Sequence, residues 1–136
     1  MRDLPRIWSL GELSEECEIA SGQVIRQLSQ AAGCRKLDVK VITLPPKTCG
    51  ERYHSHSERE EFFLILSGAG ILRLGGERLP VSSGDFFSKP TGTAHSFYNA
   101  GVEPLLILEI GTTAPGDVMS CADEGEPFMA RATRPM

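Results

Sequence analysis

His54-Ser55-His56-Ser57-Glu58-Arg59-Glu60-Glu61-Phe62-Phe63-Leu64-Ile65-Leu66-Ser67-Gly68 is the stretch on which the reading of this chain turns. Two histidines one residue apart leave the same face of a β-strand. The run 61–66 that follows is apolar on both faces, as expected for a strand covered on both sides. The chain has only three histidines, and the third, His95, arrives within Gly84-Asp85-Phe86-Phe87-Ser88-Lys89-Pro90-Thr91-Gly92-Thr93-Ala94-His95-Ser96-Phe97-Tyr98-Asn99. Three imidazoles and one carboxylate are borderline donors suited to Fe, Mn, Co, Ni, Cu or Zn. Glu58, Glu60 and Glu61 compete for the carboxylate position, and alternation does not choose between them.

Working outward, the segment 38–44 is dense in β-branched residues and stops at Pro45-Pro46. Segments 70–74 and 77–81 flank Gly75-Gly76, a pair that permits positive φ at both turn positions and so predicts a two-residue hairpin. Segments 85–89, 94–99 and 105–110 supply three more strands. Short strands punctuated by Gly and Pro turns indicate an all-β sandwich or barrel. Residues 23–30 fit a short strand or a helix equally well. The expected organisation is a single domain. An N-terminal arm spans 1–36, its first half acidic through Glu12, Glu15, Glu16 and Glu18. A β-barrel spans 37–112. A polar tail, 113–136, wraps the barrel or a partner subunit or is partly disordered.

Composition narrows the function classes. With 136 residues the chain is long enough for one ordinary core. The formal net charge of −4 and the scattered Lys and Arg argue against a nucleic-acid partner. No apolar run approaches the ~20 residues that span a bilayer, and the N-terminus lacks a signal-like hydrophobic region. No membrane partner and a cytoplasmic location are therefore expected. Cys17, Cys34, Cys49 and Cys121 show no Cys-x-x-Cys spacing and read as free thiols.

The two histidine-bearing stretches resemble the two sequence motifs of the cupin superfamily. His54-Ser55-His56, four residues, Glu61, six residues, Gly68 matches the first. Gly84, Pro90, Gly92, His95 and Asn99 match every position of the second. The resemblance covers about Leu37 to Gly111, and within the superfamily it is closer to small single-domain conserved-barrel members. It departs in one place: Thr48 stands where the family usually has a glycine, six residues before the first histidine. What the resemblance implies is a double-stranded β-helix, the jelly-roll cupin barrel. It also implies a metal centre of His54, His56, Glu61 and His95 holding one divalent transition metal ion (Fe, Mn, Ni or Zn). Glu61 is preferred to Glu60 by its spacing to Gly68. Small cupins commonly pair through their sheets and terminal arms, which implies a homodimer.

Four protein ligands leave two positions of an octahedron open, and an open site is what a catalytic centre needs. The resulting expectation is an enzyme acting on a small organic molecule. With Fe it would be a dioxygenase; with Mn, Ni or Zn it would act by decarboxylation, isomerisation or lyase chemistry. The competing expectation is a non-catalytic small-ligand-binding or sensor cupin, which the apparent scarcity of a separate acid or base favours slightly. A sugar-binding or sugar-isomerising barrel would want more aromatic and amide residues. In a barrel with a central metal, the cation is expected to compensate the buried charge of Glu61. Phe63, Ile65 and Phe97 are expected to line an apolar pocket wall or to fill the core. Asn99 is expected to hold a loop. Arg52 reads as a solvated strand-end charge in preference to a carboxylate clamp, and Cys49 and Tyr53 read as packing residues in preference to redox partners of the metal.

Overall fold

The computed structural model describes residues 6–19 and 21–121; the part of the expected tail beyond residue 121 lies outside the described residues. Where β-branched and aromatic residues are densest, the strands are longest. Leu37–Leu44 forms β3, Glu61–Ser67 forms β6 and Leu105–Thr112 forms β11, and β11 is paired in the middle between β3 and β6. β1 (Glu16–Cys17) and β2 (Val24–Gln27) add to the free side of β3, and β9 (Phe86–Lys89) adds to the free side of β6, completing a six-stranded antiparallel sheet.

Facing it is a second antiparallel sheet in the order β12 (Met119–Cys121), β5 (His54–His56), β10 (His95–Asn99), β7 (Ala69–Leu74) and β8 (Glu77–Ser82). The short β4 (Thr48–Cys49) also pairs with β10. The result is an all-β jelly roll. Alternation decides which side chains fill it. Ile42 and Leu44 of β3, Phe63 and Ile65 of β6, and Leu105 and Ile107 of β11 point between the sheets, meeting Leu72, Val81 and Phe97 from the other side. Burial of this set is the main driving force for closing the sheets on one another.

The turns obey the φ angles their residues allow. Gly75 and Gly76 take φ +56° and +90° between the paired Leu74 and Glu77, the hairpin expected from the Gly-Gly pair. Gly68, φ +89°, is compelled by space as well as by φ: a Cβ there would lie 2.4 Å from the Pro104 carbonyl oxygen. Thr48, the departure from the glycine pattern, lies in β4, and the positive φ falls on Lys47 at +62°.

Residues 23–30 prove to be both of the things they resembled. β2 ends at Gln27 and a one-turn helix, α1 (Ser29–Ala32), starts two residues later and closes on Gly33 in the left-handed conformation. Asn99 holds a loop, as expected. Its amide donates to the carbonyls of Leu44 (2.9 Å) and Glu103 (2.8 Å), and its Oδ1 accepts from Gly101 N–H.

Candidate metal centre

Strand geometry brings the histidines together. His54 and His95 are direct partners across β5 and β10, their ring centroids 5.0 Å apart. His56, two residues on, lies edge-on to His54 at 5.1 Å. Glu61 enters from the first position of β6, in the other sheet. His54, Glu61 and His95 are all buried and offer ligand atoms within 4.8 Å of one another. His56 Nε2 lies 3.9 Å from Glu61 Oε2. Of the three competing glutamates, Glu61 is 3% exposed, whereas Glu58 and Glu60 are on the surface.

The outer ring nitrogens of two imidazoles are occupied in a way that frees the inner ones. His54 Nδ1–H donates to the Arg52 carbonyl, and His56 Nδ1–H donates to Asp117 Oδ2 at 2.6 Å. Each bond selects the tautomer whose Nε2 carries a lone pair, the form that ligates a metal. Burial and the Lys89 charge outweigh the backbone bond to Arg52 and leave His54 below its ordinary pKa; burial and Lys89 hold His95 well below it. Neutral imidazoles are ligands; imidazolium ions are not. Asp117 is fixed by the backbone N–H groups of Glu58 and Arg59, and against desolvation these bonds and the His56 bond together keep its carboxyl far below the usual range. The donor chemistry of these two imidazoles, with the Glu61 carboxylate beside them, therefore fits a divalent transition metal.

Glu61 is not waiting for a cation to neutralise it. Arg59 Nε donates to its Oε2 at 2.8 Å, and the ammonium of Lys89, which is fully buried, stands 3.1 Å from its Oε1. That approach is out of line for a hydrogen bond, so Oε1 has a charge partner and a vacant lone pair. Lys89 also donates to the His54 carbonyl (3.1 Å) and lies 2.8 Å from His95 Nδ1. The expectation that a metal cation would compensate Glu61 is thus qualified by the structure: the chain carries its own counter-ions, Arg59 and Lys89.

A cavity of about 230 Å³ opens onto the cluster. His54, His56, Glu61 and His95 form one side; Ile42, Leu44, Phe97 and Ile107 form an apolar wall. Phe63 and Ile65 pack in the core instead. Cys49 and Tyr53 belong to a separate cluster with Tyr98; the Tyr53 hydroxyl accepts from Gly76 N–H. Arg52 is exposed and does not line the cavity.

Acid and base groups that sequence reasoning missed do line it: Asp38, Lys40, Glu51, Arg59 and Glu109. The signal for Glu109 was the alternation of β11, which puts it on the face of Leu105 and Ile107. Lys89 likewise shares the inward side of β9 with Phe87. Asp117 and Arg59 come from loops, where periodicity carries no signal.

Comparison with known proteins places this arrangement. An uncharacterized protein of Methanocaldococcus jannaschii is 40% identical over 55 residues, covering 40% of this chain and 44% of the relative, so the chain matches less than half of that relative's length. A candidate sugar phosphate isomerase of Acidithiobacillus ferrooxidans superposes with a TM-score of 0.73 at 30% identity, covering 80% of this chain and 72% of the other. A sugar phosphate isomerase from a cupin superfamily, of Silicibacter pomeroyi, superposes with a TM-score of 0.82 at 24% identity, covering 87% and 82%, a likeness of fold. The cupin domain model matches residues 40–111, more than half of the sequence and every residue of the histidine and glutamate cluster, and the chain therefore belongs to the cupin family.

Proposed function

We propose that this cupin is a metal-dependent enzyme acting on a small organic molecule, with His54, His56, Glu61 and His95 holding one divalent transition metal ion, Fe, Mn, Ni or Zn. The observation that carries the reading is the pairing of that cluster with a cavity of about 230 Å³ lined by ionisable groups. A bound ion there would supply Lewis acidity toward a carbonyl or enolate oxygen. Around it, the apolar wall of Ile42, Leu44, Phe97 and Ile107 excludes water from one side of a ligand. Lys40, Glu51 and Glu109 offer proton donors and acceptors on the other. A site built mainly to bring O₂ to a metal has no need of these groups, so isomerase, lyase or decarboxylase chemistry is preferred to dioxygenation. The resemblance at 30% identity to a candidate sugar phosphate isomerase supports the same preference.

Elemental analysis of untagged protein purified without chelator tests the reading. Close to one equivalent of Fe, Mn, Ni or Zn is expected. A chain that stays metal-free after reconstitution would leave a ligand-binding barrel as the better account. With metal bound, small carbonyl compounds are expected to raise the melting temperature, and a panel without a single stabilising compound counts against an enzyme.

We also propose a cytoplasmic homodimer. The outward face of the six-stranded sheet is apolar as well as the inward one. Phe62 and Phe86 lie side by side on it, ring centroids 5.9 Å apart and 38% and 68% exposed, with Leu66 at 39%. A contiguous apolar face of this kind marks an interaction surface. Light scattering should give twice 14.8 kDa for the native chain, and Phe62→Asp with Phe86→Asp should give 14.8 kDa. A native mass of one chain refutes the dimer.

A further inference from the structure

Glu109 has no task in the metal centre, yet it is held inside the same cavity. It is 5% exposed and faces inward from β11 beside Ile107. Burying a carboxylate in such surroundings is costly unless it is paired. Its partners are Lys40, whose Nζ lies 3.3 Å from Oε2, and Arg59, whose Nη2 donates to the same oxygen at 3.2 Å. Both cations fall on Oε2. Among the described residues no donor reaches Oε1, and that oxygen is not sealed from solvent, so it keeps surface in the cavity that Glu109 lines. A carboxylate serving only as a counter-ion would be expected to use both oxygens. This one is anchored by one oxygen and presents the other.

The cations of the cavity are also informative. Arg59 is already bound to Glu61 (2.8 Å), Asp38 (3.1 Å) and Glu109, and Lys40 is held by Glu109. None of them is spare for a carboxylate or phosphate. What remains for a ligand is the metal position, Oε1 of Glu109, the half-exposed Glu51, the buried Gln23 and an apolar wall. That set suits a compound with neighbouring carbonyl and hydroxyl groups and no charge.

We propose that Glu109 is the proton-transfer residue of this cavity and that its substrate class is the neutral hydroxy-carbonyl compounds. The proposal rests on the metal-enzyme reading above. The carboxylate takes a proton from the carbon next to the carbonyl. The C–H electron pair becomes the C=C bond of an enediolate, and the carbonyl π pair moves onto oxygen. Passage of the hydroxyl proton to the first oxygen, followed by return of the carbon-bound proton to the former carbonyl carbon, moves the carbonyl along the chain; return to the same carbon in D₂O replaces hydrogen by deuterium. No oxidant and no leaving group are required.

The charged neighbours agree with this role. Asp38 and Lys40 from β3, Glu51 from the segment before β5, Arg59 from the loop before β6 and Glu61 from β6 surround Glu109. Burial and the carboxylates of Glu61 and Glu51 outweigh Lys40 and Arg59 and push Glu109 up to about 7. Both proton states are then populated near neutral pH, as a group that takes and returns a proton requires.

Dihydroxyacetone in D₂O, followed by proton NMR with the metal-loaded full chain, tests the proposal. The native protein should exchange carbon-bound hydrogen faster than the free metal does. Glu109→Gln should slow exchange by about 100-fold or more at unchanged metal content, the usual range for a lost acid–base group. Because Gln leaves Lys40 and Arg59 without a charge partner, Glu109→Asp serves as the second variant: it keeps the charge and the melting temperature but withdraws the oxygen, and should slow exchange by at least about tenfold. Exchange by either variant within threefold of native overturns the proposal. A metal-loaded native chain that exchanges nothing also overturns it and leaves the metal centre standing, whereas a chain that takes up no metal overturns both.

Discussion

Glu61→Ala is expected to lower the folding free energy of the metal-free chain by about 3–5 kcal/mol, the usual consequence of removing one member of a buried ion pair. The reason is Lys89. It has no exposed surface, and its charge is balanced by Glu61 at 3.1 Å, with the His54 carbonyl as a neutral acceptor. Arg59 loses less, because Glu109 and Asp38 remain beside it. The variant therefore strands an ammonium in the barrel interior. Lys89→Met added to Glu61→Ala should recover much of the loss, since an apolar chain of similar shape needs no partner.

The pH dependence has a definite sign. Burial alone would raise Glu61, but the Arg59 hydrogen bond and Lys89 outweigh it and hold the carboxyl below its ordinary 4.5. Its contribution is then full above about that pH and drains away as the pH falls further, through the folded-state value. Urea unfolding at neutral pH and again below pH 4 reads both effects. A loss smaller than about 1 kcal/mol at neutral pH would show that Glu61 does not carry the Lys89 charge.

Much of this is legible in the sequence, and the parts that are not have a common cause. The strands of the barrel announce themselves because each has β-branched or aromatic residues bounded by a turn former, as with Gly75-Gly76 between β7 and β8. The approach of His54, Glu61 and His95 to one point, with His56 beside Glu61, follows from motif spacing, because spacing along a strand fixes the face. What escaped was the set of charged residues around them. A glutamate in Leu105-Leu106-Ile107-Leu108-Glu109-Ile110 interrupts an apolar run, and its burial depends on Lys40 and Arg59, which are distant in sequence. Lys89 ends β9, and nothing local to it in sequence announces Glu61, which stands opposite it across the β6–β9 pair. The N-terminal segment hid its role similarly: four residues of β2 carry no decisive period, and the pairing with β3 decides them.

His95→Ala, in contrast to the Glu61 variant, should separate metal binding from folding. Its imidazole packs against Phe63 at 4.7 Å and Phe97 at 5.4 Å between ring centroids, so the truncation leaves a void costing about 1–3 kcal/mol. Lys89 keeps Glu61 and the His54 carbonyl, and no charge is stranded. The barrel should remain folded while bound metal drops to less than about a tenth of an equivalent, below what loss of an outer partner leaves at the same metal concentration. Asp117→Asn supplies that outer-partner benchmark, because it weakens the acceptor that orients His56 and leaves an amide oxygen for the Glu58 and Arg59 N–H groups. Elemental analysis of both variants beside circular dichroism gives the ordering. Metal content unchanged in folded His95→Ala would sink the ligand assignment, since no rearrangement of the remaining imidazoles could replace a donor that arrives from β10.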